Sequence, residues 1–297
     1  MSQRLTGKIA VVTGSGQNIG RAIAVELARQ GAKVVTNSRT PGNAAGTATD
    51  AAQEIKALGG EATAVFADVS TTEGAKRVMA ACLEAYGGID ILVNNAGWGQ
   101  VQGMPEVTDE SWDTDMTINL RSQFVCTRAA LPAMMAKKRG RIINLGSRVA
   151  LNGTFGMAGY AAAKAGVIGF TMVLAREMAP HGITANCVLP TATTPKVEAH
   201  RRARAVLTGV YQAPSSKHMP EHIAPLVAYL ATEEAAKVTG QLFHITGGDI
   251  THFSFGEVKR MLTKDGKWSV DELVAAIPAH LGPDLGLKAA TVPPAGT

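Results

Sequence analysis

A glycine-rich turn near the N-terminus, Thr13-Gly14-Ser15-Gly16-Gln17-Asn18-Ile19-Gly20, constrains the fold more than any other feature of the sequence. It follows the short apolar run 8–12 and precedes residues 21–28, whose apolar side chains have helical spacing. A strand, a glycine turn and a helix in this order place a helix N-terminus where it can bind the pyrophosphate of a dinucleotide. The turn therefore predicts a dinucleotide site.

Apolar runs that read as strands alternate with helical patterns along the first 250 residues. Such alternation implies a parallel β-sheet that is covered by helices on both faces. The seven predicted strands are Ile9–Thr13, Lys33–Asn37, Glu61–Ala67, Ile89–Asn94, Gly140–Gly146, Thr184–Leu189 and Gln241–Ile245.

Three polar side chains near residue 150, Ser147, Tyr160 and Lys164, have a spacing that lets them act on one carbonyl group. Tyr160 and Lys164 are four residues apart in an alanine-rich run, so a helix would present both on one face. A nearby ammonium stabilises a phenolate and lowers its pKa toward neutrality. Ser147 follows a buried strand and would hold the substrate oxygen. A tyrosine–lysine pair at this spacing also occurs by chance, and it is the glycine turn upstream that favours nicotinamide-dependent redox chemistry.

Together these motifs resemble the short-chain dehydrogenase/reductase family, in the branch of ketoacyl reductases and hydroxysteroid dehydrogenases. The resemblance covers about Leu5 to Gly248. Asn18 stands in place of the middle glycine of the turn, and Thr191 in place of the glycine that usually follows the proline. Asn tolerates a left-handed backbone, whereas Thr191 cannot freely adopt glycine's angles. The motifs that carry the resemblance are Thr13–Gly20, Asp68-Val69, Asn94-Asn95-Ala96-Gly97, Asn119, Ser147, Tyr160 with Lys164, and Pro190.

The resemblance implies a doubly wound, seven-stranded Rossmann sheet, here followed by a C-terminal extension, with residues 1–250 as one domain and 251–297 as the other. It implies that Tyr160 exchanges a proton with the substrate oxygen, that Lys164 lowers the pKa of Tyr160, and that Ser147 orients the carbonyl. Asn119, within a helix over Met116–Arg128, would hold a water next to Lys164. The cofactor supplies the hydride, so no metal is required. The implied cofactor-binding residues are Gly14, Ser15, Gln17, Asn18, Ile19, Gly20, Ser38, Arg39, Thr40, Asp68, Val69, Asn95, Ala96, Gly97, Tyr160, Lys164, Pro190, Thr191 and Thr193.

Cofactor choice is read at the end of the second strand. An acidic residue there would bind the adenosine ribose and repel a 2′-phosphate, but this chain has Ser38 and the cationic Arg39. NADP is therefore favoured. The alternative is NAD, with Arg39 stacked on adenine or simply exposed. The longer loop Pro41–Asp50 resembles the dehydrogenase domains of multifunctional beta-oxidation proteins, which carry an acidic residue in place of Ser38.

The substrate pocket is expected to lie between several loops, and its mixed polarity admits a moderately apolar ketone with a polar or anionic end. A basic cluster, His200-Arg201-Arg202 with Arg204, is either a solvated helix face or a contact for phosphates of coenzyme A or an acyl carrier. The expected lining residues are Trp98, Gln100, Met104, Ser147, Arg148, Leu151, Asn152, Met157, Tyr160 and the lid Thr191–Met219.

Composition excludes other classes of protein. The 297 residues carry a dispersed net charge of +5, which argues against a nucleic-acid partner. Apolar runs are expected to be too short to cross a membrane, and the N-terminus enters the first strand too soon for a signal peptide, which predicts a cytoplasmic protein. Cys82, Cys126 and Cys187 are expected to pack as small hydrophobes.

The segment beyond Gly248 has signals of its own. Residues 260–269 predict a hairpin around Asp265-Gly266, and Ser269 with Glu272 forms a capping box that opens a helix to about Leu281. Its apolar face, which includes Trp268 and Leu273, needs burial on its own or a neighbouring subunit; from 282 on the chain is expected to be flexible.

The resemblance implies that the helices through Asn119 and Tyr160 pack against their symmetry mates. The second helix has a small-residue surface that permits close approach, so a homotetramer is expected. The small residues are Ala161, Ala162, Ala163, Ala165 and Gly169.

The expected function is a 3-oxoacyl-reductase-like transfer of a hydride between NADP(H) and a ketone or secondary alcohol. Three alternatives stay open: an NAD-dependent 3-hydroxyacyl-CoA or hydroxysteroid-type dehydrogenase, a non-catalytic cofactor-binding module, and an interaction role for the tail.

Overall fold

The computed structural model describes residues 3–42, 46–211, 213, 218–254, 256, 260–264 and 269–281. These residues form eight strands and ten α-helices. The strands are β1 (Ile9–Val12), β2 (Lys33–Ser38), β3 (Ala62–Phe66), β4 (Ile91–Asn94), β5 (Gly140–Leu145), β6 (Ile183–Thr191), β7 (Leu242–Thr246) and β8 (Asp249–Phe253). The helices are α1 (Asn18–Arg29), α2 (Ala48–Ala57), α3 (Thr72–Tyr86), α4 (Asp109–Met116), α5 (Ser122–Ala136), α6 (Val149–Asn152), α7 (Ala158–Met178), α8 (Pro195–Thr208), α9 (Ala224–Leu230) and α10 (Val270–Ala276).

The strands join one sheet in the order β3-β2-β1-β4-β5-β6-β7-β8. The first seven are parallel, which confirms the predicted doubly wound Rossmann sheet. An eighth strand was missed: β8 pairs antiparallel with β7, joined by the two residues Gly247 and Gly248. A glycine pair between two β-prone runs is the usual signal for such a tight hairpin. The sheet order reverses direction between β1 and β4, where this fold binds ligands.

Both faces of the sheet are buried under helices. β1 shows how the sequence achieves this, because Ala10 and Val12 pack toward α1 and α9, while Ile9 and Val11 pack toward α3 and α5. Alternate residues of a strand point to opposite faces, and a strand that is covered on both sides must be apolar throughout. The central strands therefore form a rigid platform whose carboxyl ends carry the site.

The longest helix, α7, packs against the sheet. The helical stretch Ala158–His181 is apolar and long enough to span a bilayer, contrary to the expectation that no run would be. Eight residues of α7 are buried, including Lys164, and its Leu174 and Ala175 join the core cluster beneath the sheet. Packing against the sheet accounts for its composition.

By internal packing, the chain divides into two compact units, residues 1–253 and 254–297. In the second unit Ser269 caps α10 in a capping box with Glu272, which confirms the predicted helix start. The helix continues as a π-helical turn, Ile277–Leu281. The predicted hairpin turn at 265–266, Trp268 and the end from 282 on lie outside the described residues.

Candidate active site

A cleft of about 630 Å³ opens at the carboxyl edge of the sheet, where β1 and β4 diverge. It gathers residues that are more than 170 positions apart in the sequence. The predicted cofactor residues that line it are Gly14, Gln17, Asn18, Ile19, Gly20, Ser38, Arg39, Thr40, Asp68, Val69, Asn95, Ala96, Gly97, Tyr160, Lys164 and Pro190, together with the predicted substrate residue Trp98.

The glycine turn has the backbone that a dinucleotide requires. Asn18 adopts a φ of +50°, so the asparagine takes the left-handed conformation expected of it. Gln17 is the N-cap of α1 and has no side-chain cap, which leaves the first amides of the helix directed at the cleft. A Cβ on Gly20 would lie 2.4 Å from the carbonyl oxygen of Gly14, so only glycine fits there. The residues present therefore fit the pyrophosphate of NADP(H).

Ser15 does not line the cleft. It is fully buried, its hydroxyl donates to Val12 O at 2.8 Å, and it accepts the backbone N–H of Asn37 at 2.9 Å. The Asn37 side chain, which the sequence analysis did not single out, accepts from Gly14 N and donates to Val65 O and Ala67 O. A polar residue in an otherwise apolar strand was the available signal. Together these bonds fix the turn to β2 and β3.

The adenosine end of the cleft carries a positive charge. Arg39 is exposed beside Ser38, whose hydroxyl donates to Thr40 O at 3.1 Å and accepts from Ala48 N at 3.1 Å. Asp68, the acid predicted to bind the cofactor, accepts hydrogen bonds from the backbone N–H of Ser70 at 2.9 Å and from its hydroxyl at 2.7 Å. A 2′-phosphate would thus meet a cation and a hydroxyl here.

Tyr160 and Lys164 line the far end of the cleft, and Ser147, although outside the lining itself, hydrogen-bonds the side chain of Tyr160. Ser147 follows β5, and the other two lie one turn apart on α7. Burial raises the pKa of Tyr160; a hydrogen bond from Ser147 opposes this rise, and the negative charge of Asp115 adds to it. Tyr160 is therefore protonated at neutral pH without a bound cofactor. The expected lowering of this pKa by Lys164 is not among the causes of the shift, although the ammonium lies 5.7 Å from the ring centre.

Lys164 is held as a buried cation. Its Nζ donates to Leu145 O at 2.7 Å, and burial lowers its pKa to about 8. Gly97 faces it closely, since an added Cβ would lie 3.4 Å from Lys164 Nζ and 3.0 Å from Asn119 Oδ1. At neutral pH the ammonium stays protonated and can donate toward the cleft.

Asn119 lies in a π-helical turn, Thr117–Arg121, rather than in the regular helix predicted over Met116–Arg128. Its Oδ1 accepts from Trp98 N at 3.0 Å, and its Nδ2 donates to Asp115 O at 2.9 Å and to Trp98 O. π-turns interrupt helices frequently at functional sites. The turn directs a fully buried amide at the loop that follows β4.

Asp115 is a buried carboxylate that the sequence analysis missed. Asp115 belongs to α4, and its carboxylate accepts a hydrogen bond from the backbone N–H of Tyr160 in the first turn of α7. The N-cap residue of α7, Met157, has no side-chain cap of its own. Burial raises the pKa of Asp115 to about 6, and its Oδ1 has no hydrogen-bond partner among the described residues. An acid four residues before Asn119 was the only local signal.

Several predicted substrate and lid residues lie elsewhere. Arg148 and Asn152 are exposed on and next to α6, outside the cleft lining. Thr191 continues β6 in extended pairing with Thr246, so its backbone needs no glycine angles, and its hydroxyl bonds His244 at 3.1 Å. Thr193 also lies outside the lining, which instead includes Thr194, Lys196 and Val197 of the lid.

A doubly wound sheet, a glycine turn at its switch point and a tyrosine–lysine pair facing the same cleft define a dinucleotide-dependent oxidoreductase. Residues 8–205 match the short chain dehydrogenase family. The chain belongs to this family, and it is an oxidoreductase that acts on keto and secondary-alcohol groups.

Relatives and solved structures agree with this assignment. The chain is 42% identical to a 3-oxoacyl-[acyl-carrier-protein] reductase of Vibrio cholerae over 82% of its own length and 98% of the relative's. It is 36% identical to a hydroxyacyl-CoA dehydrogenase of Mycobacterium tuberculosis over 92% of its length and 88% of the relative's. A crystal structure of a short chain dehydrogenase from Mycobacterium avium superposes with a TM-score of 0.81, 31% identity, and coverage of 94% and 96%.

Proposed function

We propose that this protein reduces 3-oxoacyl thioesters to the 3-hydroxy compounds with NADPH, in a reversible reaction. The observation that carries the proposal is a cleft with Tyr160, hydrogen-bonded to Ser147, and Lys164 in its lining at one end and Arg39 at the other. The similarity to 3-oxoacyl-[acyl-carrier-protein] reductases along almost their whole length supports the thioester as substrate.

Each catalytic side chain has a role that fits its surroundings. Ser147 donates a hydrogen bond to the substrate carbonyl and orients it, and Tyr160 transfers its proton to that oxygen. The raised pKa of Tyr160 keeps the hydroxyl protonated, as reduction requires. Lys164 stabilises the phenolate that remains, and Asn119 holds the water through which the proton is replaced. NADPH supplies the hydride when it is bound.

The cofactor is held by residues at both ends of the cleft. The free amides of α1 bind the pyrophosphate, Arg39 with Ser38 and Thr40 binds the 2′-phosphate, and Asp68-Val69 borders the adenine. Asn95, Ala96 and Gly97 line the path to the nicotinamide, whose ribose Lys164 binds. Thr194 and Lys196 replace Thr191 and Thr193 as the lid residues that face this end.

A second candidate function is the NAD-dependent oxidation of 3-hydroxyacyl-CoA. The observation that favours it is coverage: the match to the hydroxyacyl-CoA dehydrogenase spans 92% of the chain and so must extend beyond Phe253 into the second unit. The carrier-protein reductases match only 82%. Both candidates use the same catalytic residues and differ in carrier, cofactor and direction.

A homotetramer in the cytoplasm is the proposed form. α5 and α7 share a surface with exposed apolar side chains. Phe124 of α5 contacts Phe170 of α7 edge to face, with ring centroids 6.4 Å apart, and Val173 of α7 is 54% exposed. Exposed apolar surface of this kind indicates a subunit contact. Sedimentation of the purified protein tests the tetramer, and truncation after Phe253, which leaves β8 intact, tests whether the tail takes part in it.

The decisive experiment compares two carriers and two cofactors. Acetoacetyl-CoA and an acetoacetyl carrier protein are each reduced with NADPH and with NADH, and kcat/KM is measured for the four combinations. A preference for the carrier protein with NADPH supports the first candidate, and a preference for CoA with NADH supports the second. NADPH binding without turnover of any ketone would indicate the non-catalytic module.

Charge reversal at the adenosine end tests the cofactor argument. Arg39→Asp should raise the KM for NADPH at least about 10-fold and leave that for NADH within a small factor, because a charge-assisted contact to the 2′-phosphate is lost. Lys76→Asp, the same reversal on the exposed face of α3, is the matched control. An unchanged cofactor preference would show that Arg39 does not bind the phosphate.

A further inference from the structure

The inner face of the lid helix α8 carries three basic groups four residues apart, Lys196, His200 and Arg204. This spacing places them in one row on the helix. Lys196 donates to Gly97 O at 3.0 Å, His200 bonds the backbone of Gly99, and Arg204 donates to Met157 Sδ at 3.6 Å. The row therefore faces the loop after β4 and the start of α7.

Lys196 is the member of the row that lines the cleft. Its ammonium lies 5.5 Å from the centre of the Trp98 ring, which forms the same wall. Gly97 stands between two lysines, because its carbonyl oxygen accepts from Lys196 while its α-carbon faces Lys164. Lys196 thus lies beside the catalytic end of the cleft rather than at the glycine turn.

In the part of the chain that the structure describes, no carboxylate balances the charge of this row. Among the described residues, Lys196 forms no ion pair, and burial together with repulsion from Lys164 lowers its pKa to about 8. Burial and the charge of Lys196 lower the pKa of His200, and Arg204 Nε is buried with no hydrogen-bond partner among the described residues. Arg202, on the outer face, is paired with Glu198 at 2.8 Å. Partly buried charge without a counter-ion is costly, so a ligand that supplies a negative charge is favoured at this place.

We propose that Lys196 binds an oxyanion, a carboxylate or phosphate, carried by the substrate close to its reacting carbonyl, and that it thereby favours, among the carbonyl compounds that the site accepts, those with an acidic group. The position beside Trp98 and Lys164 favours the substrate as the source of the anion over the cofactor's pyrophosphate, which binds at the amides of α1. This inference rests on the proposed reduction of a carbonyl at the same site.

The test uses one pair of ketones that differ only in charge, 4-oxopentanoate and its methyl ester, with NADPH saturating. The ratio of the KM values for the acid and the ester is measured for wild type, Lys196→Met and Arg202→Met. Where one of the two ketones is not reduced, the ratio of their inhibition constants against acetoacetyl-CoA is measured instead. Arg202→Met removes one charge from the outer face of the same helix and is the matched control. Dissociation constants for NADPH and NADH are measured by fluorescence.

The wild type and Arg202→Met should prefer the acid over the ester by at least about 10-fold, the range of a charge-assisted contact, and Lys196→Met should lose this preference. If Lys196→Met binds NADPH and NADH more weakly by the same factor, and the wild type does not prefer the acid, the anion at this site is the cofactor's pyrophosphate. That result would overturn the substrate as the source of the anion. An unchanged acid-to-ester ratio and unchanged cofactor binding in Lys196→Met would overturn the anion site itself.

If the wild type reduces no carbonyl compound at all, the proposed function fails, and the same ratio is measured by calorimetry on protein saturated with NADP⁺. A 10-fold preference for the acid that Lys196→Met abolishes still supports the anion site, whereas equal binding of acid and ester refutes it. The two hypotheses therefore fail separately.

Discussion

The two helices that face the cleft, α7 and α8, are built in opposite ways. α7 has 21 residues, eight of them buried, and it holds Lys164 among apolar neighbours. α8 has 14 residues and buries none of them. Burial against the sheet fixes the geometry of α7, as proton transfer requires, whereas α8 is held by a few polar contacts. We therefore propose that the helix of the core carries the chemistry and that the helix of the surface selects the substrate.

The largest effect is expected on α7, from Tyr160→Phe. The substitution keeps the ring and removes the proton donor, so kcat should fall roughly 10²–10⁴-fold while the dissociation constant for NADPH changes little. Stopped-flow reduction and fluorescence titration measure the two quantities. Substantial retained turnover would contradict the catalytic assignment and, with it, the division of labour between the helices.

Lys164→Met should abolish most activity and stabilise the unliganded protein. The pKa of Lys164 is lowered from 10.5 to about 8, which corresponds to a cost on the order of 3 kcal/mol, partly offset by about 1 kcal/mol from the bond to Leu145 O. We expect an apparent Tm several degrees higher in the variant at pH 7.

The pH dependence gives a second check on Lys164. Between pH 8 and 10.5 the unfolded chain binds more protons at this residue than the folded one, so the penalty is complete below pH 8 and is relieved as the pH rises. The stability advantage of Lys164→Met over the wild type should therefore shrink across this window. An advantage that is absent at pH 7, or that grows with pH, would show that Lys164 is not held as a buried cation.

Asp115→Asn should shift the pH profile of alcohol oxidation, in which the Tyr160 phenolate is the base. The pKa of Asp115 is about 6, so its charge is present above that pH and raises the pKa of Tyr160. The amide keeps an acceptor for the N–H of Tyr160 without the charge. The rising limb of kcat against pH should therefore move to lower pH.

The matched control for this variant is Asp113→Asn, an exposed acid on the same helix, which should leave the profile in place. Asp115→Ala removes charge and acceptor together and should in addition lower kcat at every pH. If Asp115→Asn does not move the rising limb of kcat against pH, the carboxylate of Asp115 acts only as an N-terminal cap of α7.

The smallest effect is expected on the outer face of α8. Val206 is 87% exposed, so Val206→Ser should change the free energy of unfolding by less than about 0.5 kcal/mol and leave kcat unchanged. Calorimetry and steady-state kinetics check this. A large loss would show that this face packs on another subunit and that α8 is less of a surface helix than the monomer indicates.

The sequence predicted α7 better than α8. Tyr160 and Lys164 are four residues apart, about one turn of an α-helix, so a helix puts both side chains on one side regardless of the rest of the fold. The basic cluster was read as one unit, but the helix separates it, with His200 directed inward and Arg202 outward. Which side of a charged helix faces the protein depends on packing partners that lie far away in the sequence.

The features that escaped prediction are of the same kind. The π-turn at Asn119, the contact of Asp115 with Tyr160 and the pairing of β8 each depend on a neighbour that local periodicity does not specify. The strands were predicted within one or two residues at most boundaries because a strand buried on both faces must be continuously apolar. The local sequence pattern thus predicted the strands of the sheet, whereas tertiary contacts determine which side chains face the cleft.

The order of the sheet also bears on how the chain acquires its fold. β1 lies between β2 and β4, and the backbone N–H of Ile9 bonds the carboxylate of Asp90, 81 residues further on. During synthesis the glycine turn therefore emerges long before the strand that completes its sheet. Pairings across such separations must overcome a large loop-closure entropy and are formed slowly. The strands around the glycine turn are therefore complete only once residue 94 has been made, and the tyrosine–lysine pair takes its place only once α7 has been made.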